Sequence, residues 1–333
     1  MTRSNTMTRV MLPLIAATIV LFCASMLIGP ARMSLGDSLS ALFAGGESPM
    51  ALVMREIRLP RALLAVMIGA SLGLAGAAMQ GYLRNPLAEP GLIGVSGSAA
   101  LGAVLAIQTG LAASFALGLP LAALAGALIS VLLVMALAGP RGTSLTLILA
   151  GIAVSALAAA LTSLVLNLSP NPFAASEIVF WMMGSLADRS MTHVWLALPL
   201  MVLGWALLAG LGRGLDALTL GEDAAQAMGI RLTRLRLMLV IGTACVVGAG
   251  TAVAGAIGFV GLVVPHILRP LVGARPSSLL WASALGGAVM LLLADIAVRL
   301  ILPERDLKLG VLTAIVGAPL FLHLILKLRK ERI

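Results

Sequence analysis

Apolar runs long enough to cross a bilayer recur from Val10 to Ile333, and no polar segment between them is long enough to fold as a separate soluble unit. In hydrocarbon every backbone N–H and C=O must be satisfied within the chain, so such runs form helices or a closed barrel. Runs of roughly twenty residues fit helices, since a membrane strand needs only about ten. The expected fold is therefore an all-α polytopic membrane protein with about ten transmembrane helices, residues 1–333 forming one transmembrane domain. Composition agrees: 60% of the residues are hydrophobic and 11% charged, too little polar surface for a soluble domain of this size. The 36 glycines point to helices that approach one another closely. A net charge of +9 raises nucleic acid as a partner, but with 4% aromatics and no soluble domain the cations read as loop charges. Cys23 and Cys245 sit singly in apolar runs and are expected to pack there, with no disulfide framework or metal-ligand spacing.

In chain order, Arg3 and Arg9 precede a first helix from Val10 to Gly29 and place the N-terminus in the cytoplasm; Cys23-Ala24-Ser25 keeps a cleavable signal as the alternative. An outer segment, 30–61, ends in a run dense in arginine, and a glycine-spaced helix from Ala62 to Tyr82 returns inside. Later helices are expected near Leu92 to Gln108, Ala113 to Ala138, Leu145 to Leu168, Thr192 to Leu211, Leu237 to Ala254, Leu279 to Leu300 and Leu309 to Leu326. A short span broken by Pro265 and Pro270 covers Ala256 to Val272, and the second outer segment, 169–191, holds a re-entrant or surface helix. With this topology about fourteen of the 22 Lys and Arg lie inside, as the positive-inside tendency requires. Gly69 follows Arg58-Leu-Pro-Arg61 at the offset by which Gly242 follows Arg231-Leu-Thr-Arg234, with the two entering from opposite sides, as in an inverted-topology repeat.

The polar island from Arg213 to Arg236 is the segment least like the rest of the second half. Within it Glu222 and Asp223 open a short helix at its positive end, and Gly229 closes it. Two turns of helix cannot span a bilayer and are barely stable alone, so this one is held by its own protein or by a partner. The alternative is a solvated loop between two spans.

Candidate chemistry is sparse. None of Lys308, Lys327 and Lys330 follows a glycine, so no phosphate-cradling loop of the Walker A kind is present. Asp295 is the best candidate for an ion or proton relay of a secondary transporter, but it lies four residues before Arg299, the spacing of a helix-end ion pair. His193, His266 and His323 are scattered without metal-ligand spacing. Gly94-Val95-Ser96-Gly97 is similar to the serine motif of rhomboid intramembrane proteases, with Ser96 as nucleophile and His266 or His323 as base; such a match is common in a glycine-rich chain. Arg58, Arg61 and Arg299 fall at outer helix ends, where they anchor lipid headgroups or offer forks for carboxylates of a soluble partner.

Several separated motifs occur in order: IRLPRALLAVMIGASLGLAGAAMQGYLRNPLAEPGLIGVSGSAALGA, LILAGIA, FWMMGSL, LTLGEDAAQAMGI, VAGAIGFVGLVVPHILRPLVG, LLADIAVRL and LGVLTAIVGAP. Together they resemble the permease subunits of ABC importers for ferric siderophores, haem and cobalamin, the FecCD-like family. The resemblance implies a type II ABC importer permease fold and a non-catalytic subunit of the bacterial inner membrane with both termini cytoplasmic. It implies a second permease subunit (a homodimer), two ATP-binding subunits that carry the ATP and Mg, and a periplasmic substrate-binding protein. The chain itself is expected to bind no cofactor or metal, and to pass a metal chelate, ferric siderophore first, then haem or cobalamin. Arg58, Arg61 and Arg299 would dock the binding protein, and Leu220, Gly221, Glu222, Asp223, Ala224, Met228 and Gly229 would couple to the ATPase. Asn167, Pro172, Trp181, Met182 and Gly184 would line and gate the path. One departure stands out: Asp306-Leu307-Lys308-Leu309 replaces the family's Glu-Leu-Pro, which bears on docking or substrate preference. An ion-coupled secondary transporter and an intramembrane serine protease remain the alternatives.

Overall fold

The computed structural model describes residues 3–29, 36, 40–41, 48–139, 142–301 and 307–330. Most of the expected outer stretch from Pro30 to Glu47, together with Pro140, Arg141 and Asp306, lies outside the described residues. Among the described residues all regular structure is helical. The principal helices are α1 (Arg3–Leu27), α2 (Pro49–Leu83), α3 (Val95–Gln108), α4 (Gly118–Ala138), α5 (Ser144–Asn167), α6 (Pro172–Met182) and α7 (Met191–Ala209). They continue with α8 (Gly212–Leu218), α9 (Glu222–Ala227), α10 (Leu232–Ala254), α11 (Val260–Leu268), α12 (Pro276–Ile301) and α13 (Leu309–Lys330).

Among the described residues seven helices, α1, α2, α4, α5, α7, α10 and α12, are long and apolar enough to cross a membrane. The other three expected spans are occupied by the 14-residue α3, the nine-residue α11 and the 22-residue α13. The expected short outer helix is α6.

Two helices are longer than hydropathy suggests. Helix α2 runs unbroken through the arginine-rich approach, which hydropathy had placed outside the span. Its segment Val53–Arg58 is a π-helical widening directly before Pro60, and the Leu59 N–H reaches back to the Met54 carbonyl. Proline lacks an N–H and crowds the preceding turn, and a wider turn accommodates it without breaking the helix. Helix α10 begins at Leu232, and α8 is mostly buried, so half of the polar island belongs to the bundle.

The bundle is built around α2 and α10. Of their most apolar windows 78% and 72% of residues are buried, against 28% for α5 and α7, which places those two at the centre and the others at the rim. The two central helices run in opposite senses, and Gly69 faces α12 while Gly242 faces Leu208 of α7. Lipid tails are as apolar as leucine, so close backbone contact holds helices together in a membrane. The expected glycine contacts are present: a Cβ at Gly69 would overlap the Gly287 carbonyl, one at Gly73 the Ser283 carbonyl, and one at Gly76 the Gly261 carbonyl of α11. The cysteines differ from expectation in part. Cys245 is half-buried beside Gly204, whereas Cys23 lies exposed on the outer side of α1, where nothing in the bundle covers it.

Breaking the close approach tests this arrangement. Gly73→Ala is expected to force α2 from α12 and to cost about 1–3 kcal/mol, the usual range for overpacking. Gly97→Ala, whose new Cβ would sit 3.8 Å from the Ala158 Cβ, is the neutral control. The readout is the unfolding temperature of the detergent-solubilised protein; equal values for the two variants would reject backbone packing as the organising contact.

Candidate functional site

Helix α2 carries Arg58 and Arg61 near its start and Tyr82 near its end, about 30 Å apart at 1.5 Å per residue. Tyr82 lines a cavity with Glu222 of α9, so the arginines and the α9 helix stand at opposite ends of the bundle.

At the arginine end the three expected docking residues are gathered around Asp295 and the end of α1. Helix α1 stops at Leu27, leaving its last carbonyls without helical donors. Arg58 is 4% exposed and donates through Nη1 to the Met26 and Leu27 carbonyls at 2.9 and 3.0 Å. Arg299 donates through Nη1 to the Ser25 and Ile28 carbonyls at 2.9 and 2.6 Å, and through Nη2 to Ser25 Oγ at 2.6 Å. Guanidinium groups suit this place because their forked donors meet several carbonyls and their charge complements the negative helix end. Arg61 Nε donates to Asp295 Oδ1 at 2.8 Å. Arg299 Nη2 lies 2.7 Å from Asp295 Oδ2 but off the hydrogen-bond direction, so that contact is one of charge rather than a directed bond. Asp295 is fully buried, Arg299 is 9% exposed and Arg61 18%. The expected pairing of Asp295 with Arg299 is present; the link from Asp295 to Arg61, across the bundle, is invisible in sequence spacing.

The expected path residues lie toward this same end. Asn167 and Pro172 are exposed, while Gly184 is buried where three backbones meet. The Ser185 N–H donates to the Ala254 carbonyl at 2.7 Å and the Gly310 N–H to the Gly184 carbonyl at 3.2 Å, joining the exit of α6 to α10 and α13. Trp181 and Met182 are half-buried at the end of α6, with the Trp181 carbonyl against Gly255. Lys308, the departure from the family pattern, holds its Nζ 5.7 Å from the centroid of the Phe180 ring, within cation–π range.

At the opposite end α9 is a six-residue helix between two glycines with positive φ, Gly221 at 106° and Gly229 at 82°. Gly229 allows the chain to turn back, so that the Ile230 N–H reaches the Ala225 carbonyl at 3.0 Å. Glu222 and Asp223 occupy the first turn, where the helix dipole favours negative charge. Only Ala225 is fully buried. Leu220 and Met228, apolar and flanking the helix, are 70% and 53% exposed.

The platform beneath α9 is tied to the bundle by residues the sequence reading did not single out. The Asp216 carboxylate of α8 accepts from the Ser277 N–H at 2.9 Å, the Ser277 hydroxyl at 2.8 Å and Arg275 Nε at 2.7 Å, capping the first turn of α12 from another segment. Arg236 of α10 donates to the Gly139 and Gly142 carbonyls between α4 and α5. Nearby, Gln80 Nε2 donates to the Leu262 carbonyl at 3.2 Å and Arg269 Nη2 donates to Gln80 Oε1 at 2.8 Å, fastening α11 to α2. In the α2–α3 connection, burial pushes the Glu89 carboxyl above the usual carboxylate range, opposed by a bond from the Phe259 N–H.

The other candidate chemistry does not assemble. Ser96 opens α3, and among the described residues no hydrogen bond joins it to a histidine. His193 accepts from the Ser190 N–H at 3.3 Å and so helps cap α7. His266 and His323 line one apolar cavity between α11 and α13, but no third donor joins them: among the described residues no group of three His, Cys, Asp or Glu could hold a metal.

A model of the FecCD transport family matches residues 17–327. The chain belongs to that family. It is 40% identical over 312 residues to the vitamin B12 import system permease protein BtuC of Salmonella typhi, covering 93% of this chain and 91% of the relative. It is 37% identical over 289 residues to the ABC transporter permease protein YvrB of Bacillus subtilis, covering 85% and 81%. A solved inward-facing structure, of a transporter described as metal-chelate type, superposes with a TM-score of 0.85 at 34% identity over 96% of this chain and 99% of that one. A PsaBC structure from Streptococcus pneumoniae, at TM-score 0.54 and 16% identity, shares the fold. As a FecCD member the chain is a multi-pass membrane permease of the ABC importer class, with the type II permease fold.

The Asp295 cluster sets a test of the arginine end. Asp295→Asn leaves two buried guanidinium groups without their carboxylate and is expected to cost about 3–5 kcal/mol. Arg275→Ala removes a pair that is 57% exposed on the arginine side and should cost no more than about 1 kcal/mol. Thermal unfolding in detergent distinguishes them; a D295N protein as stable as R275A would show that the buried cluster contributes little.

Proposed function

We propose that this chain is the translocation subunit of an ABC importer for a metal chelate, working in the bacterial inner membrane as a homodimer with both termini cytoplasmic. Two separate ATP-binding subunits supply ATP and Mg, a periplasmic binding protein delivers the cargo, and alternating access moves it. The observation that carries this reading is α9: an acidic helix too short to stand alone, seated by Ala225, with Leu220 and Met228 exposed beside it. Exposed apolar side chains flanking acids are the pattern of a partner surface. The chain has no phosphate-cradling loop to drive itself, so Leu220, Gly221, Glu222, Asp223, Ala224, Met228 and Gly229 are assigned to an ATPase groove.

At the far end, α6 with Asn167, Pro172, Trp181, Met182 and Gly184 is assigned to the path and its gate, supported by its exposed first half and its backbone junction with α10 and α13. Arg58, Arg61 and Arg299 are assigned to docking of the binding protein. Arg61, the most exposed of the three, is the one an incoming carboxylate meets first, in exchange with Asp295. Among cargoes, the similarity to vitamin B12 permeases adds weight to cobalamin beside the ferric siderophore and haem expected from sequence.

Reconstitution with the ATP-binding subunits and the binding protein in proteoliposomes is the decisive experiment. Binding-protein-stimulated ATP hydrolysis with chelate uptake is expected, and proton-driven uptake by the chain alone would reject the importer in favour of a secondary transporter. In that system Glu222→Lys with Asp223→Lys should lower uptake tenfold or more, by uncoupling or by loss of ATPase assembly, with the membrane fold intact; unimpaired transport would make α9 only a loop. Arg61→Glu should weaken binding-protein association most at low salt, and unchanged affinity there counts against docking.

A further inference from the structure

Helix α9 and the start of α5 face each other at this end of the bundle. A polar cavity of about 210 Å³ lies between them, lined by Tyr82, Thr143, Ser144, Glu222, Gln226 and Thr233. A space of that size and polarity admits water. Among the described residues Arg236, 2% exposed and bordering the cavity, crosses from this side of the bundle to the α4–α5 connection with two directed bonds.

The bonds of Arg236 fall on both flanks of that connection. Its Nη2 donates at 3.0 Å to the carbonyl of Gly139, the residue that ends α4, and its Nη1 donates to the carbonyl of Gly142. Next in the chain Thr143 caps α5, its Oγ1 accepting from the Thr146 N–H at 3.3 Å. On the other side Arg236 lies in the first turns of α10, which follow α9 after a short connection through Ile230 and Arg231. Gly229 N–H bonds to the Gln226 carbonyl at 2.8 Å and Ile230 N–H to the Ala225 carbonyl at 3.0 Å, closing α9, and Leu235 N–H bonds to the Arg231 carbonyl at 3.0 Å, opening α10 one residue further on. A guanidinium holding two carbonyls fixes direction as well as distance, which a single lysine ammonium cannot do.

We propose that Arg236 is the positioning residue that makes α9, the first turns of α10 and the α4–α5 connection move as one body, so that a displacement of α9 is delivered to the start of α5. This rests on the reading of α9 as the ATPase-coupling helix. The face of α5 carries exposed Leu145, Leu149 and Ile152 from its first turn on, so a shift at its start moves a long apolar surface.

Two variants in the complete importer test it, each measured for ATP hydrolysis and for chelate uptake in the same proteoliposomes. Arg236→Gln is expected to assemble and to hydrolyse ATP within about twofold of wild type, with uptake per ATP down tenfold or more; Arg236→Lys, which keeps the charge, should fall between. In the permease alone, amide hydrogen exchange at residues 142–147 should rise about tenfold or more in Arg236→Gln and stay unchanged in α12. An unchanged ratio of uptake to hydrolysis, or exchange at 142–147 equal to wild type, overturns the proposal. Failure of both variants to assemble also overturns it, by making Arg236 a residue that holds the fold. A wild-type complex without binding-protein-stimulated hydrolysis refutes the importer reading itself, whereas normal wild-type coupling with an unchanged ratio in Arg236→Gln refutes only the role given to Arg236.

Discussion

The structure depends on the backbone contact between α2 and α12. In lipid there is no hydrophobic gain in bringing two apolar helices together, so association relies on dispersion and on surfaces that fit. Gly69 and Gly73 on one helix and Ser283 and Gly287 on the other let the backbones meet without side chains between them. That contact centres α2, and α10 and α11 then pack against it. The rim helices α1, α4, α5 and α7 turn apolar faces outward, to lipid or to another subunit.

Charge in this bundle is concentrated where helices end. Arg58 and Arg299 serve the last carbonyls of α1, Arg236 serves the end of α4, and Asp216 serves the Ser277 N–H in the first turn of α12. A helix end buried in protein leaves polar groups without partners, and a buried guanidinium carries a large desolvation cost. Bringing the two together offsets both. The same arrangement gives the two ends different character. At the arginine end Arg61 and Arg299 close on Asp295, while at the α9 end acids and apolar side chains stay exposed.

Much of this was legible from residue order because the signals are local. Apolar runs announce helices, glycine spacing announces close contact, and Gly221 and Gly229 bracket α9 where a chain reversal needs positive φ. The pairing of Asp295 with Arg299 was visible for the same reason, four residues being one helical turn. Hydropathy failed where polar residues sit inside helices. It began both α2 and α10 too late, because Arg58, Arg61 and Arg236 read as surface residues although each has partners within the bundle. It also assigned Cys23 to packing, since an apolar run does not say which face of a helix meets lipid.

By itself, then, the sequence determined that this chain is helical and membrane-spanning, and its ordered motifs pointed to the FecCD transport family to which it belongs. It also marked α9 as an element apart, through its acids and glycines. Only the tertiary structure decided which charges meet. Arg61 and Asp295 are 234 positions apart, and Arg236 and Gly142 are 94 apart. Those partnerships arise when helices distant in sequence pack side by side, and nothing in local periodicity encodes which carbonyl or carboxylate an arginine will face.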